Sequence, residues 1–431
     1  MGKTSISIQG RRFLINGIPV YSEIPGSDPR VHGLLFNQRM IQGVYDDPPQ
    51  RSLYNQLALL VFDPDANTDG LVAALPEWYR WGLRAITVCF QGGWPVGMCD
   101  VEGIDNNPFG QDGLRLDPAY ADRMDRIIRA ADEIGMVVIV NILYWAQARK
   151  LRDARAVMNA VRTACRFLRA QGYTNVMIDV ANEYDIYGND RHPLLQTDEG
   201  ITALIQLAQA ESGMPVGSSG TGGKLEKEPA LASDFVIIHG NDLTRGKLYD
   251  MLLRQVEIAP NKPVLCNEDS PCCTRVDVCT ELGVSWGYYN NYTKQIPPCF
   301  WGVTPGEDLF FARRMARTIG LPVEPLPKRE QFVLQGLKPE DGFSGGLHTM
   351  RVACEFPEQV DRVTFFRDGK KLYTSYDEPF MCYTESTWLG TPFKVKAGEV
   401  YRAEILLAGG DVVTLKQQII EPCRVGDPVE I

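Results

Sequence analysis

Along most of the chain, short apolar runs alternate with segments whose apolar positions recur every three or four residues. The short runs predict buried strands, and the three-to-four spacing predicts amphipathic helices. The predicted strands are 34–36, 85–90, 137–143, 176–180, 215–218, 235–239, 264–267 and 285–289, and clear helical spacing covers 120–134, 154–170, 201–211 and 308–319. Eight strands alternating with helices are typical of a parallel sheet closed on itself. We therefore predict an α/β fold, a (β/α)8 TIM barrel.

The two ends of the chain follow a different pattern. Asn16-Gly17 between apolar pairs predicts a β-hairpin before the barrel. Pro322, Pro325 and Pro327 indicate a semi-rigid linker. The region after this linker shows strand alternation separated by turns, with no helical period. We predict a barrel with its hairpin over 1–321, a linker over 322–330 and an all-β sandwich over 331–431.

Composition and charge indicate which partners and which location to expect. The 431 residues include 54 Asp and Glu against 44 Lys and Arg, a formal net charge of −10 without a basic stripe, so nucleic acid is not an expected partner. Because no apolar run approaches the roughly 20 residues of a membrane span, a membrane partner is not expected either. The N-terminus lacks an apolar signal region, which predicts a cytoplasmic protein; the alternative is a secreted or periplasmic protein whose signal was removed.

Eleven cysteines are an odd count, and most lie within apolar strand or helix patterns. Small buried side chains explain them better than a disulfide framework does. The cluster Cys272, Cys273 and Cys279 fits no familiar zinc spacing, and packing is the favoured interpretation.

Two glutamates follow predicted strands at the rim where barrel enzymes place their functional side chains. The fourth strand leads into Asn182-Glu183, and the seventh into Asn267-Glu268. Cleavage of a glycosidic bond with retention needs two carboxyl groups about 5–5.5 Å apart, one to protonate the leaving oxygen and one to attack the anomeric carbon. Strands four and seven face each other across a narrow barrel, so this pair predicts a glycosidase.

Asn182-Glu183 and Glu268 resemble the signature of the clan A retaining glycoside hydrolases, which include the family 5 cellulases and mannanases. The resemblance covers roughly residues 5–320 in element order and implies Glu183 as acid/base and Glu268 as nucleophile, without a cofactor. It also implies that Asn182 bonds the 2-hydroxyl of the sugar. His239 matches the histidine that the clan often carries near the end of strand six.

The chain departs from family 5 at several positions, so we place it as a divergent member. Thr87 stands where the family commonly has a strand-two arginine, and Asn241 where it often has a tyrosine. Asp269-Ser270 follows Glu268 in place of an aromatic residue and glycine, which leaves Asp269 as a competing carboxylate. We expect His239 and Asn241 to donate hydrogen bonds near the nucleophile.

Other residues at strand ends are candidates for carbohydrate binding, because sugars stack on aromatic rings and bond amides around them. The family resemblance implies an aromatic residue after strand eight, and Trp286 is the favoured stacking platform. The remaining candidates are Gln91, Trp94, Asn141, Tyr144, Trp145 and Tyr184. The C-terminal pattern over 360–369, with Pro379-Phe380 and Trp388 downstream, resembles bacterial immunoglobulin-like modules of carbohydrate enzymes. This module either binds carbohydrate or buttresses the barrel, and the second interpretation is favoured.

Two rival functions remain open at this level. A non-catalytic carbohydrate-binding barrel would not require both glutamates. A metal-dependent hydrolase would need several histidine ligands, and the chain has four histidines, one of them in the predicted sandwich. Residues 63–70 resemble the start of a calcium loop, but Thr68 replaces the required glycine and Ala74 the bidentate glutamate, so a helix cap is favoured. The sugar, the linkage, endo or exo action and the oligomeric state stay open.

Overall fold

The computed structural model describes residues 2–54, 62–95, 103–186, 192–225, 227–342, 346–384 and 386–421. Within these ranges, eight parallel strands follow one another along the chain. They are β4 (Asn37–Arg39), β5 (Ala85–Cys89), β6 (Val137–Tyr144), β7 (Val176–Asn182), β8 (Val216–Gly217), β9 (Val236–His239), β10 (Val264–Glu268) and β11 (Gly287–Tyr288). The predicted alternation of strands with helices is confirmed as a mixed α/β fold with a parallel sheet.

Strand pairing brings the ends of this series together. Six strands form one sheet in the order β11-β4-β5-β6-β7-β8, and β9 pairs with β10. Isolated parallel bridges link Ser219 to Ile237 and Leu265 to Ser285, one on each side of the β9–β10 pair. The apolar side chains of these strands and of the surrounding helices form one continuous hydrophobic core.

The first barrel strand differs from the prediction, which placed it at 34–36. The strand is β4, which pairs with β5 through Asn37 and Ala85 and with β11 through Gln38 and Tyr288. The side chains of β4 are polar and almost fully buried. A search for apolar runs therefore selects the segment before it, because a strand that lines a polar interior carries no hydrophobic signal.

Helices fill the segments between the strands. They are α1 (Arg51–Tyr54), α2 (Pro64–Arg80), α3 (Pro118–Ile134), α4 (Trp145–Ala148), α5 (Ala154–Gln171), α6 (Asp198–Ser212), α7 (Glu228–Ala232), α8 (Arg245–Ile258), α9 (Arg275–Glu281), α10 (Asn291–Lys294) and α11 (Glu307–Thr318). Asp63 caps α2 by accepting a hydrogen bond from the amide of Ala66 at 2.7 Å. This confirms the helix cap that the sequence favoured over a calcium loop.

An antiparallel sheet precedes the barrel. It consists of β1 (Ile6–Gln9), β2 (Arg12–Ile15) and β3 (Ile18–Pro19). The predicted hairpin turn is present: Asn16 and Gly17 both have left-handed φ angles, 53° and 76°, as a two-residue turn between antiparallel strands requires.

The described residues after the proline-rich segment form an all-β unit with short 3₁₀ turns. Its strands are β12 (Phe332–Gln335), β13 (Leu347–His348), β14 (Met350–Cys354), β15 (Val360–Arg367), β16 (Lys370–Ser375), β17 (Phe380–Cys382), β18 (Phe393–Lys394), β19 (Val400–Leu407) and β20 (Val412–Gln418). A three-stranded sheet, β12-β14-β17, and a four-stranded sheet, β16-β15-β19-β20, share a hydrophobic core that is separate from that of the barrel.

The described cysteines are all reduced, and most are buried. Cys273 and Cys279 belong to the barrel core, in agreement with the packing interpretation. Among the helices of the described residues, none combines the length and the apolar character that crossing a membrane would require.

Candidate active site

The two predicted catalytic glutamates lie together at the carboxyl ends of the parallel strands. Glu268 is the last residue of β10, and Glu183 directly follows β7 with a left-handed φ of 46°. Both are largely buried, with relative exposures of 7% and 9%. One carboxylate oxygen of each lies within 4.8 Å of the other. The side chains therefore converge as the strand-end argument predicted.

His239, the last residue of β9, lies between the two carboxylates. Its Nδ1 is 3.1 Å from Oε1 of Glu183 and 3.5 Å from Oε2 of Glu268. When both glutamates are ionised they can only accept, and Nδ1 is then the donor in these contacts. His239 lies next to Glu268, where it was expected, and the ring contacts both glutamates.

Arg39 is the main residue of the site that sequence analysis missed. This guanidinium at the end of β4 is 1% exposed, and its Nε lies 3.0 Å from Oε2 of Glu268. Its Nη2 donates a 2.7 Å hydrogen bond to Oδ1 of Asn182. Family 5 commonly has an arginine on strand two, where this chain has Thr87; here the arginine beside Glu268 comes from strand one. The signal in the sequence was Asn37-Gln38-Arg39, a polar triplet directly after an apolar run.

Asn182 and Asn241 complete the polar ring around the glutamates. Asn241 donates from Nδ2 to Oε1 of Glu268 at 3.0 Å, as the donor hypothesis expected. Asn182 uses its Oδ1 for Arg39, while its buried Nδ2 has no partner within the described residues. Nδ2 is thus the group of Asn182 that the sugar-binding role implied by the family resemblance would use.

The competing carboxylate, Asp269, serves the structure of the barrel. Its Oδ1 forms a buried ion pair with Arg275, and its Oδ2 accepts a 2.8 Å hydrogen bond from Nε1 of Trp286. With 1% exposure and both oxygens engaged, Asp269 is not available to attack a substrate. Glu268 is the carboxylate of this strand end that faces the site.

The charges around Glu268 have opposing effects on its pKa. Burial raises the pKa of Glu268 above its ordinary value, and the negative charge of Glu183 adds to the rise, whereas Arg39 and His239 lower it. Burial lowers the pKa of His239, but the two carboxylates outweigh this effect, and the net shift is upward. The pKa values of Glu268 and His239 are therefore both raised, although the permanent positive charge of Arg39 opposes the rise at each of them.

A cluster of aromatic residues lies next to the glutamates. Tyr144, Trp145 and Tyr289 form a cluster against which Trp94 packs. The Trp94 and Trp145 rings meet edge to face with centroids 6.5 Å apart. Burial raises the pKa of Tyr144, and the charges of Glu183 and Glu268 add to the rise. Tyr144 thus lies near both glutamates, and Trp145 and Trp94 belong to the aromatic cluster beside it.

Trp286, the favoured platform, does not lie at the site, and this expectation is wrong. The ring is fully buried in the barrel core, 5.5 Å from the ring of Phe311 on α11. Successive side chains of a strand point to opposite sides. Trp286 and Tyr288 therefore face the helices, and Tyr289 faces the site, with its ring centre 5.2 Å from the guanidinium carbon of Arg39.

Three other candidates are engaged in structural contacts. Tyr184 is fully buried, and its hydroxyl lies 3.4 Å from both Asp198 and Lys224, away from the carboxylate pair. Gln91 and Asn141 are also fully buried. The side chain of Gln91 accepts a hydrogen bond from the amide of Tyr144 and donates one to Asn107. The side chain of Asn141 accepts a hydrogen bond from the thiol of Cys89 and donates one to the carbonyl of Asp179. None of the three presents a group to a substrate.

Asp179 on β7 is a second buried carboxyl that sequence analysis did not assign. Its Oδ2 accepts hydrogen bonds from Ser219 at 3.0 Å and Asn267 at 3.3 Å. Burial raises the pKa of Asp179 to about 6 from an ordinary 3.8, although His239 and Ser219 lower it. The native state therefore holds this proton more tightly than the unfolded chain does.

This shift predicts a pH dependence of stability. The contribution of Asp179 is fully present below pH 3.8 and is lost as the pH rises through about 6, at a cost of about 3 kcal/mol. We expect Asp179→Asn to remove that loss. Urea unfolding between about pH 4 and pH 8 should show a decline that is smaller in the variant by about this amount. Parallel curves for the two proteins would contradict the assignment.

No protein-family model and no curated protein sequence matches the chain. Among solved structures, it is similar to a calcium-binding mutant of Bacteroides uniformis beta-glucuronidase 2, at 12% identity and a TM-score of 0.46, over 97% of this chain and 47% of that one. It is also similar to a glycoside hydrolase family 5 structure from Bacteroides vulgatus, at 14% identity and a TM-score of 0.46, over 97% and 94% of the two chains.

A third similar structure is a GH5-4 broad specificity endoglucanase from Bacteroides salanitronis, at 12% identity and a TM-score of 0.46, over 67% of this chain and 93% of that one. The chain spans about half the length of the glucuronidase. These structural neighbours are glycoside hydrolases, and family 5 is among them.

Proposed function

We propose that the protein is a retaining glycoside hydrolase that cleaves β-linkages of an oligo- or polysaccharide by double displacement. The observation that carries the proposal is the approach of Glu183 and Glu268, with an oxygen of each within 4.8 Å of the other. Retaining enzymes place their carboxyl groups about 5–5.5 Å apart, whereas inverting enzymes leave about 6.5–9.5 Å for a water molecule. The separation therefore favours direct attack by a carboxylate.

The resemblance to the clan A hydrolases assigns a step to each glutamate. An oxygen of the Glu268 carboxylate attacks the anomeric carbon as the glycosidic bond breaks, and the proton of Glu183 passes to the leaving oxygen. Glu183 then takes a proton from water, whose oxygen displaces Glu268 from the sugar. Arg39 and Asn241 stabilise the ionised nucleophile and orient its oxygens.

The same proposal includes the architecture. We infer a closed (β/α)8 barrel over 1–321, supported by the two parallel bridges beside the β9–β10 pair. We assign 322–330 as the linker and 331–431 as the sandwich, supported by its separate hydrophobic core. Location in the cytoplasm stays a prediction from the sequence alone.

A metal-dependent hydrolase is the rival that the geometry raises, because Glu183, His239 and Glu268 each offer one ligand atom to a common point. The charge of the site argues against it. Oε2 of Glu268 already pairs with the permanent cation of Arg39 at 3.0 Å, and a divalent ion bound there would lie beside that guanidinium. Turnover unchanged after dialysis against a chelator would agree with this argument, and metal-restored turnover would contradict it.

The experiment that tests the function is a panel of aryl β-glycosides followed by proton NMR of the product. We expect turnover of at least one sugar, with the β-anomer released first and mutarotation following. A first-formed α-anomer would contradict double displacement. Lack of turnover across both aryl and natural glycans would support the non-catalytic binding alternative.

A further inference from the structure

A loop of the C-terminal unit reaches the catalytic face of the barrel. Oγ1 of Thr387 accepts a 2.9 Å hydrogen bond from the amide of Asp242 and lies 2.5 Å from Oγ of Ser270. The amide of Thr387 donates to Oδ1 of Asp242 at 3.1 Å, and Nε1 of Trp388 donates to Oδ2 at 3.2 Å. One hydroxyl thus joins the loop after β9 to the loop after β10.

These two loops carry the donor and the acceptor of a hydrogen bond at the nucleophile. Asn241, which donates to Glu268, directly precedes Asp242. Ser270 follows Glu268 by two residues. The backbone at Asp242 is left-handed, with a φ of 62°, a conformation that is uncommon outside glycine but that aspartate tolerates better than most residues.

Arg275, at the start of α9, supplies a second support for these loops. Arg275 donates to the carbonyl of Gly240 at 2.7 Å and pairs with Asp269. The two residues so fixed come directly before Asn241 and directly after Glu268. Thr387 binds Asp242 and Ser270, the next residue of each loop, so the pair of loops is held both by Arg275 and by the C-terminal unit.

We propose that Thr387 is a positioning residue of the active site: its hydroxyl sets the spacing of the two loops so that Asn241 stays bonded to Glu268. This inference rests on the proposed function. It makes the C-terminal unit part of the working catalytic centre, beyond the buttress that the sequence suggested.

The consequence concerns the ionised nucleophile. Glu268 faces Arg39 from β4, His239 from β9 and Glu183 beyond β7, as well as the amide of Asn241. The hydrogen bond from Asn241 lowers the pKa of Glu268. If the bond is loosened while the three charges stay in place, that pKa rises. The activity requires ionised Glu268, so the acid limb of the pH profile then moves to a higher pH.

The test compares Thr387→Val, which removes the hydroxyl, with Thr387→Ser, which keeps it. We expect the acid limb of the kcat/KM profile of Thr387→Val to move upward by about half to one pH unit, and that of Thr387→Ser to match the wild type. Thr414→Val, on an exposed strand of the same unit, is the distant control and should leave the profile in place.

A second measurement separates positioning from general stability. Asn241→Ala should move the same acid limb upward. The double variant Asn241→Ala/Thr387→Val should show no further movement, because both substitutions act through the same hydrogen bond from Asn241 to Glu268. An acid limb of Thr387→Val that coincides with the wild type, with only the melting temperature lowered, would overturn the inference and leave the proposed function intact. A wild type without turnover would overturn both.

Discussion

Replacement of Glu268 by glutamine is expected to lower kcat by about four orders of magnitude or more, because the amide cannot attack the anomeric carbon. The effect should be in kcat and not in KM, because glutamine is nearly the same size as glutamate and the neighbouring side chains that bind the substrate remain. Steady-state rates on an aryl β-glycoside measure it. Glu281→Gln, an exposed glutamate at the end of α9, is the matched control and should retain wild-type rates.

Chemical rescue then identifies which carboxylate was removed. In Glu268→Gly, azide can occupy the space of the nucleophile and attack from the same side, so the product should be the α-glycosyl azide. A β-glycosyl azide from this variant would show that Glu268 is the acid/base instead. Full activity of either variant would contradict the two-glutamate account.

Replacement of Glu183 by glutamine is expected to show a loss that depends on the leaving group. General acid catalysis contributes about 10²–10⁴-fold, and a natural alcohol leaving group needs all of it. Dinitrophenolate leaves without a proton. The kcat/KM of Glu183→Gln should therefore fall by about 10²–10⁴ on an oligosaccharide and by less than about tenfold on a dinitrophenyl glycoside.

The second step gives this variant a further signature. Without its base, hydrolysis of the glycosyl-enzyme slows, so dinitrophenol should appear in a burst equal to the enzyme concentration. A uniform loss on both substrates without a burst would mean that Glu183 positions the substrate and does not transfer the proton. The Glu281→Gln protein again serves as the reference.

The sequence supported the order of elements and the convergence of the glutamates because both follow from local patterns. Apolar runs mark β5, β6 and β7, and Glu183 and Glu268 directly follow or end such runs. Once the strands are parallel, their ends must lie on one face, so the pair could be placed without knowing any contact.

The errors came from strands whose side chains break the apolar pattern. Arg39 escaped notice because β4 is polar on its buried side, and a buried guanidinium beside a carboxylate has no one-dimensional signature. The family resemblance implies an aromatic residue after strand eight, which indicated Trp286, but the two-residue period at β11 turns Tyr289 toward the site instead. The contacts of Thr387 join parts of the chain more than 100 residues apart and required the structure.

The most direct test of the central claim is covalent trapping with an activated 2-deoxy-2-fluoro-β-glycoside, followed by mass spectrometry of the peptic digest. The fluorine slows both steps, and the good leaving group restores the rate of the first step only, so the glycosyl-enzyme should accumulate with one sugar per chain, attached to the peptide that contains Glu268. Label on Glu183 or another residue, or turnover of the reagent without any label, would contradict the assignment of Glu268 as the nucleophile.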